Sequence, residues 1–190
     1  GADNDNLTGG SGNDTFNVDS GTDTITDLTS GDILIVSSGA TATVTNVTSF
    51  TATGSTANSG TVTISTDNSS GGTVDMTAAS GNYTITGQGS IDTLTGGGGN
   101  DSFVIGAVNG SAALTGHFLT ITDLTAGDTI GIAAVDSGTA TWNATEITLG
   151  ASATFANYIA SAVAGDGDTN SIMRWFTYSG DTYMVNDNDS

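Results

Sequence analysis

Large apolar residues return every nine positions along two stretches of this chain. Leu7, Phe16, Ile25 and Leu34 mark the first; Met76, Ile85, Leu94 and Phe103 mark the second. Elsewhere the pattern shortens to alternation. Thr41-Ala42-Thr43-Val44-Thr45-Asn46-Val47 and Thr61-Val62-Thr63-Ile64 place apolar side chains at every second position, which predicts strands. Thr suits the solvent side of such strands, because its β-branched side chain fits a pleated, half-exposed surface. The last third changes character. Residues 140–149 predict a strand. Residues 151–163 predict the one helix, with Phe155, Ile159 and Val163 at four-residue spacing and Ser152 as its cap. Residues 172–178 and 182–186 predict a hairpin that turns at Ser179-Gly180-Asp181.

The nine-residue period carries a polar pattern in its turns. Gly9-Gly10-Ser11-Gly12-Asn13-Asp14-Thr15-Phe16-Asn17 fits G-G-x-G-x-D-x-U-x, where U is a large apolar residue. The register runs back to Asp5 and Leu7, and forward to Gly21, Asp23 and Ile25. A second block repeats it: Leu7 to Phe16 matches Leu94 to Phe103. Each block then reaches a shared phrase, Ile25-Thr26-Asp27-Leu28-Thr29-Ser30-Gly31-Asp32 in one and Ile121-Thr122-Asp123-Leu124-Thr125-Ala126-Gly127-Asp128 in the other. The blocks are 87 residues apart at the first match and 96 at the second. The difference is one repeat length, which predicts an insertion of that size between Gly106 and Phe118. Four segments follow: a first repeat block (1–36), a Thr/Ser-rich strand region (37–86), a second repeat block (87–133) and a C-terminal strand, helix and hairpin cap (134–190).

Composition sharpens the reading of the turns. The 190 residues carry 20 acidic side chains and one basic one, Arg174, for a formal charge of −19. Glu146 is the only Glu, so the acidity is almost entirely Asp. Acidic surfaces that serve solubility alone mix the two; Asp is the short, turn-compatible choice. The charge excludes nucleic acid as a partner, since phosphate binding needs clustered Lys and Arg. It equally disfavours anionic membrane surfaces, and no apolar run approaches the roughly 20 residues of a membrane span. With no Cys there is no disulfide framework or thiolate metal site. The start within a repeat, without an initiator Met or signal peptide, is expected of a fragment or processed piece of a longer protein.

These nonapeptides resemble the RTX family of secreted bacterial calcium-binding proteins, which includes toxins, proteases, lipases, adhesins and surface-layer proteins. The phrase from Ile172 to Tyr183 is similar to a hairpin near the C-terminus of some surface-layer and adhesin-like members. The resemblance implies an all-β fold of parallel β-roll or β-helix coils, each pairing two x-U-x strands with two six-residue turns over about 18 residues. It implies type I secretion and folding outside the cell. Asp5 then lies over Asp23, and Asp14 over Asp32, so that each pair holds a cation with turn carbonyls as further ligands. The implied metal residues are Asp5, Gly10, Gly12, Asp14, Gly21, Asp23, Asp27 and Asp32 in the first block. In the second they are Asp92, Gly97, Gly99, Asp101, Asp123 and Asp128. With the insertion looped out, Asp128 partners Asp101, whereas Asp92 has no Asp partner.

Calcium suits such a site, because it accepts six to eight oxygens in an irregular shell. Zinc would want His or Cys, and the chain has one His. Four ions would reduce the formal charge from −19 to about −11. A thin interior of short coils leaves metal to cover the deficit in buried area, so calcium is expected to decide whether the chain folds.

Other chemistry is weaker. His117 stands alone, with no nucleophile elbow or zincin helix to give it a role. The carboxylates follow a turn register rather than the pairing of a glycosidase. Asp166-Gly167-Asp168-Thr169-Asn170 starts like an EF-hand loop but lacks its sixth-position Gly and twelfth-position Glu. Trp175, Phe176, Tyr178 and Tyr183 are expected as core under the hairpin, with a glycan-binding face as the alternative. Asp187 and Asp189 read as a solvated tail. The expectation is a non-enzymatic, extracellular, calcium-loaded structural protein of a bacterial surface layer or filament. It would associate with itself or with other surface proteins. The alternative is the stalk or secretion module of an adhesin or a type I-secreted enzyme.

Overall fold

The computed structural model describes residues 2–89, 91–106, 119–132, 141–164 and 172–187. The chain divides into two compact units, Gly1–Ala133 and Ala134–Ser190. The first is a β-solenoid of about five turns. One side is a seven-stranded parallel sheet of β1 (Asn6–Leu7), β3 (Thr22–Ile25), β5 (Thr41–Val47), β8 (Thr61–Thr66), β10 (Thr84–Gly87), β12 (Ser102–Ile105) and β14 (Thr129–Ile132). A three-stranded sheet joins β2 (Thr15–Val18), β4 (Ile33–Val36) and β7 (Ala57–Asn58). A four-stranded sheet joins β6 (Ser49–Thr51), β9 (Thr73–Asp75), β11 (Asp92–Thr95) and β13 (Leu119–Ile121).

The nine-residue apolar positions are the inside of this solenoid. Ile25, Val44, Ile64, Ile85, Phe103 and Ile130 stack in register through the seven-stranded sheet. Phe50, Val74, Leu94 and Ile121 stack through the four-stranded one. Phe16 lies over Leu34, and Val18 over Val36. These side chains form one continuous core from Phe16 to Phe103. Alternation does the sorting, because successive residues of a strand point to opposite faces. In β8, for example, Val62, Ile64 and Thr66 are buried while Thr61, Thr63 and Ser65 face out. Coil length varies: Tyr83 and Asp101 are stacked at a separation of 18 residues, Asp101 and Asp128 at 27. The longer step contains the predicted repeat-sized insertion, of which residues 107–118 lie outside the described residues.

The second unit is a sheet ordered β15 (Thr141–Trp142), β16 (Ile172–Tyr178), β17 (Asp181–Asp187), with α1 (Phe155–Ala162) packed on β16 and β17. The hairpin turns on two residues, Ser179 (φ 54°) and Gly180 (φ 95°), so β17 starts at Asp181, one residue earlier than expected. The helix is shorter than the predicted 151–163, and Thr154, not Ser152, caps it. Thr154 and Asn157 form a reciprocal capping box, which fixes the start at Phe155. Regular pairing of the predicted 140–149 strand is confined to Thr141–Trp142. The Asn143 side chain then takes the Thr145 N–H and bends the chain, which rejoins the sheet edge where the Ile147 N–H donates to the Trp175 carbonyl.

Phe155, Tyr158, Phe176, Tyr178 and Tyr183 form one ring cluster with centroids 4.8–5.9 Å apart, and Phe176 is fully buried. Phe176 is the buried centre of this cluster, and the four rings around it are half-buried. Trp175 points the other way and donates its indole N–H to the Ala144 carbonyl. Arg174 donates to the carbonyls of Ser161, Ala162 and Ala164, closing the C-terminal end of α1. His117, Asp166, Asp168 and Asp189 lie outside the described residues.

Candidate functional site

The two repeat blocks build the same turn. Gly10 (φ 91°) and Gly12 (φ 125°) match Gly97 (φ 83°) and Gly99 (φ 136°), in backbone conformations that a Cβ would strain. Asp27 bridges the first turn from the next coil: its two oxygens accept the Gly9 and Gly10 N–H groups at 3.1 and 2.8 Å. Asp123 does the same for Gly96 and Gly97 at 2.8 and 2.7 Å. Asp32 accepts the Asp14 N–H on one oxygen and the Thr29 N–H and hydroxyl on the other. Asp128 repeats this with Asp101 and Thr125. In the first block the module runs from the seven-stranded to the three-stranded sheet; in the second it runs from the four-stranded to the seven-stranded sheet.

Sequence reasoning found these acids but not their hydrogen bonds. Each carboxylate in the stack accepts the main-chain N–H of the coil before it. Asp5 donates to Asp23 at 3.0 Å, Asp14 to Asp32 at 2.9 Å and Asp101 to Asp128 at 2.8 Å. Thr29, Thr125, Gly9 and Gly96 are further site residues, and their signal was the internal repeat, which keeps all of them. A Cβ on Gly9 would lie 2.5 Å from Asp14 Oδ2, and one on Gly96 would lie 2.5 Å from Asp101 Oδ2. The missing side chain is what lets the carboxylate lean over its own turn. Gly21 (φ 82°) packs against the backbone of Asp3 in the adjacent coil.

Two carboxylates stand apart. Asp23 is 1 % exposed and Asp101 2 % exposed, and Oδ2 of each is buried with no hydrogen-bond partner. A buried polar atom left in that state costs about 1–3 kcal/mol, and more when charged. Burial pushes the Asp101 carboxyl up. The Asp128 and Asp123 carboxylates push in the same direction, against the Tyr83 N–H bond to Asp101 Oδ1. Asp128 is held low by the N–H groups of Asp101 and Thr125. A cation beside Asp101 would reverse the cost of its burial. Among the described residues no three His, Asp or Glu side chains converge on one point, so a site here has at most two carboxylates and completes its shell with turn carbonyls. That donor set suits calcium.

Asp92 is different. Its register neighbours are Leu119 in the following coil and Gly72 in the preceding one, so it has no Asp partner. It accepts the Gly72 N–H at 2.7 Å and is hydrogen-bonded by the Thr66 side chain and the Gln88 backbone. Burial still pushes its carboxyl up. The protein itself satisfies this group.

The family described as RTX calcium-binding nonapeptide repeat (4 copies) matches residues 1–25 and 77–110. The chain carries RTX repeats. The matched residues contain both Gly-rich turns and the two carboxylates with unsatisfied oxygens. No curated protein and no solved structure matches the chain. The RTX β-roll is a structural, calcium-binding fold, and among the described residues no helix is long and apolar enough to cross a membrane.

Proposed function

We propose that this chain is a calcium-binding structural module of a secreted bacterial surface layer or filament, without catalytic activity. The observation that carries the reading is the pair of buried carboxylate oxygens, on Asp23 and Asp101, that no protein donor reaches. Asp23 with Asp5, and Asp101 with Asp128, are the two principal calcium sites. Asp14 with Asp32 forms a further site, since Asp14 leans over Gly9 as Asp101 leans over Gly96. Carbonyls of the turns containing Gly10, Gly12, Gly21, Gly97 and Gly99 complete the shells. Asp27 and Asp123 hold the Gly-Gly turns in shape. RTX repeats occur in secreted proteins, where millimolar calcium makes modest affinity sufficient.

The distribution of charge supports assembly. Thr24, Thr43, Thr63, Thr84, Ser102 and Thr129 form one outward rank across the seven-stranded sheet, and none is charged. The Asp residues of the repeats lie in the turns or, like Asp23 in β3 and Asp92 in β11, point inward near the start of a strand. With a charge of −19, copies repel through those turns until calcium occupies them.

The test is a calcium titration of the EDTA-treated chain, followed by circular dichroism and particle size together. A response at roughly 0.1–1 mM calcium, with growth in particle size, is expected. Asp101→Asn should weaken the response at least about tenfold, whereas Asp92→Asn should leave it in place. Calcium binding with a persistent monomer would shift the assignment to the stalk or secretion module of a larger protein. No binding would sink the calcium reading.

A further inference from the structure

We infer that the middle of the solenoid, from β5 to β10, folds without calcium and serves as the platform onto which calcium fastens the coils at either end. The second half of this inference rests on the calcium reading above.

One inward column of the seven-stranded sheet carries the argument. Its positions, in stacking order, are Asp5, Asp23, Ala42, Val62, Tyr83, Asp101 and Asp128. Acids occupy both ends, and apolar or aromatic side chains occupy the three central places. Ala42, Val62 and Tyr83 are each no more than 2 % exposed. Tyr83 satisfies itself within the chain: its hydroxyl donates to the Ser80 carbonyl and its N–H to Asp101 Oδ1. Where the end coils bury a carboxylate oxygen with no partner, the central coils bury hydrocarbon. The same column position therefore opposes folding at the ends and favours it in the middle.

The other elements of the middle agree. Val44, Phe50, Ile64, Val74, Met76 and Ile85 are fully buried there. Turns in this stretch close on their own side chains. Asp67 accepts the N–H groups and hydroxyls of Ser69 and Ser70, which holds its carboxyl well below the usual range. Asp75 accepts from Thr77, and Asn58 from the Gly60 N–H. Asp92, at the edge of the middle, is satisfied by Gly72, Thr66 and Gln88. None of these turns has a buried carboxylate oxygen without a partner; the one buried side-chain atom described in this stretch without one, Thr56 Oγ1, is a neutral hydroxyl. β5, β8 and β10 are three consecutive strands of the large sheet, about the minimum stack that a solenoid needs to hold together. Solenoid stability is close to a sum of local and nearest-neighbour contributions, so a stable middle can persist while its ends fray.

Hydrogen exchange of the full chain, read by mass spectrometry in EDTA and in about 1 mM calcium, tests this. Chelation should speed exchange at least about 100-fold over residues 15–25 and 102–105, and less than about tenfold over 41–47, 61–66 and 84–87. Simultaneous loss of protection across both sets would overturn the inference. In calcium, Asp23→Asn should release residues 15–25 and leave 84–87 protected; release of both would count against it as well. Bound calcium is measured in parallel with an ion-selective electrode. If none binds, the proposed function fails, and the exchange of the middle in EDTA still decides whether that part folds unaided.

Discussion

Asp101 and Gly96 show how much of this molecule is decided by single atoms. The carboxylate can lean over its turn only because Gly96 has no Cβ; one there would also meet the Phe103 ring at 2.9 Å. Gly96→Ala should therefore weaken calcium affinity and cost about 1–3 kcal/mol, the usual range for overpacking a tight site. Gly54→Ala is the matched control, since nothing lies within 4 Å of its Cβ position. It should leave both stability and calcium response unchanged or slightly raise stability. Titration gives a second handle at this scale. Burial raises the carboxyls of Asp92 and Asp101 above their ordinary values. Below about 3.9 both the folded and unfolded forms are protonated. As pH rises, the unfolded chain ionises first, and stability is lost until the raised folded values are passed. In EDTA the thermal midpoint should thus fall as pH rises above about 4, until those raised values are passed. Asp92→Asn should flatten that slope; an unchanged slope would show that the Asp92 carboxyl is not raised.

At the scale of elements, the sequence was most readable where one physical demand repeats. Phe16, Ile25, Leu34, Met76, Ile85, Leu94 and Phe103 followed from the nine-residue period and Val44 and Ile64 from alternation, because each demands an inward apolar side chain at fixed spacing, whereas Phe50 and Val74 fall outside both patterns. Stacked pairs such as Asp14 with Asp32 followed from the 18-residue coil that the RTX resemblance implied. What the register did not reveal was the set of donors. A carboxylate one coil away from an N–H is 18 or 27 residues distant in sequence, and the spacing says nothing of which oxygen is used. Asp92 sits in the motif like Asp101, yet Thr66 and Gly72, neither in the motif, satisfy it. The helix start was missed for a local reason. Ser152 and Thr154 are both eligible caps, and Asn157, three residues after Thr154, decides between them. Thr154→Ala should cost about 1 kcal/mol of stability in the second unit and leave the calcium response untouched, read by thermal melts with and without EDTA. A calcium response altered by this change would contradict the assignment of the sites to the repeat turns.

For the whole molecule, a charge of −19 raises the question of whether calcium acts as a ligand or only as counter-ion. The two roles differ in where the charge lies. Acids of stacked turns are about 4.8 Å apart, within the Debye length of roughly 8 Å at physiological ionic strength but beyond the roughly 3 Å reached in 1 M salt. Concentrated sodium chloride should therefore relieve repulsion between turns and shrink an expanded, calcium-free chain. It cannot reach the Oδ2 atoms of Asp23 and Asp101, which are sealed from solvent. In EDTA with about 1 M sodium chloride, scattering should report a more compact chain while hydrogen exchange over residues 102–105 stays fast. Calcium at about 1 mM should restore both, and magnesium at the same concentration should not, because it gives up its water reluctantly and demands octahedral geometry. If salt alone protects residues 102–105, bulk screening explains the response and the buried oxygens are not calcium ligands. If only calcium does so, the charge of this chain is a set of ligands arranged in register rather than a field that any counter-ion screens.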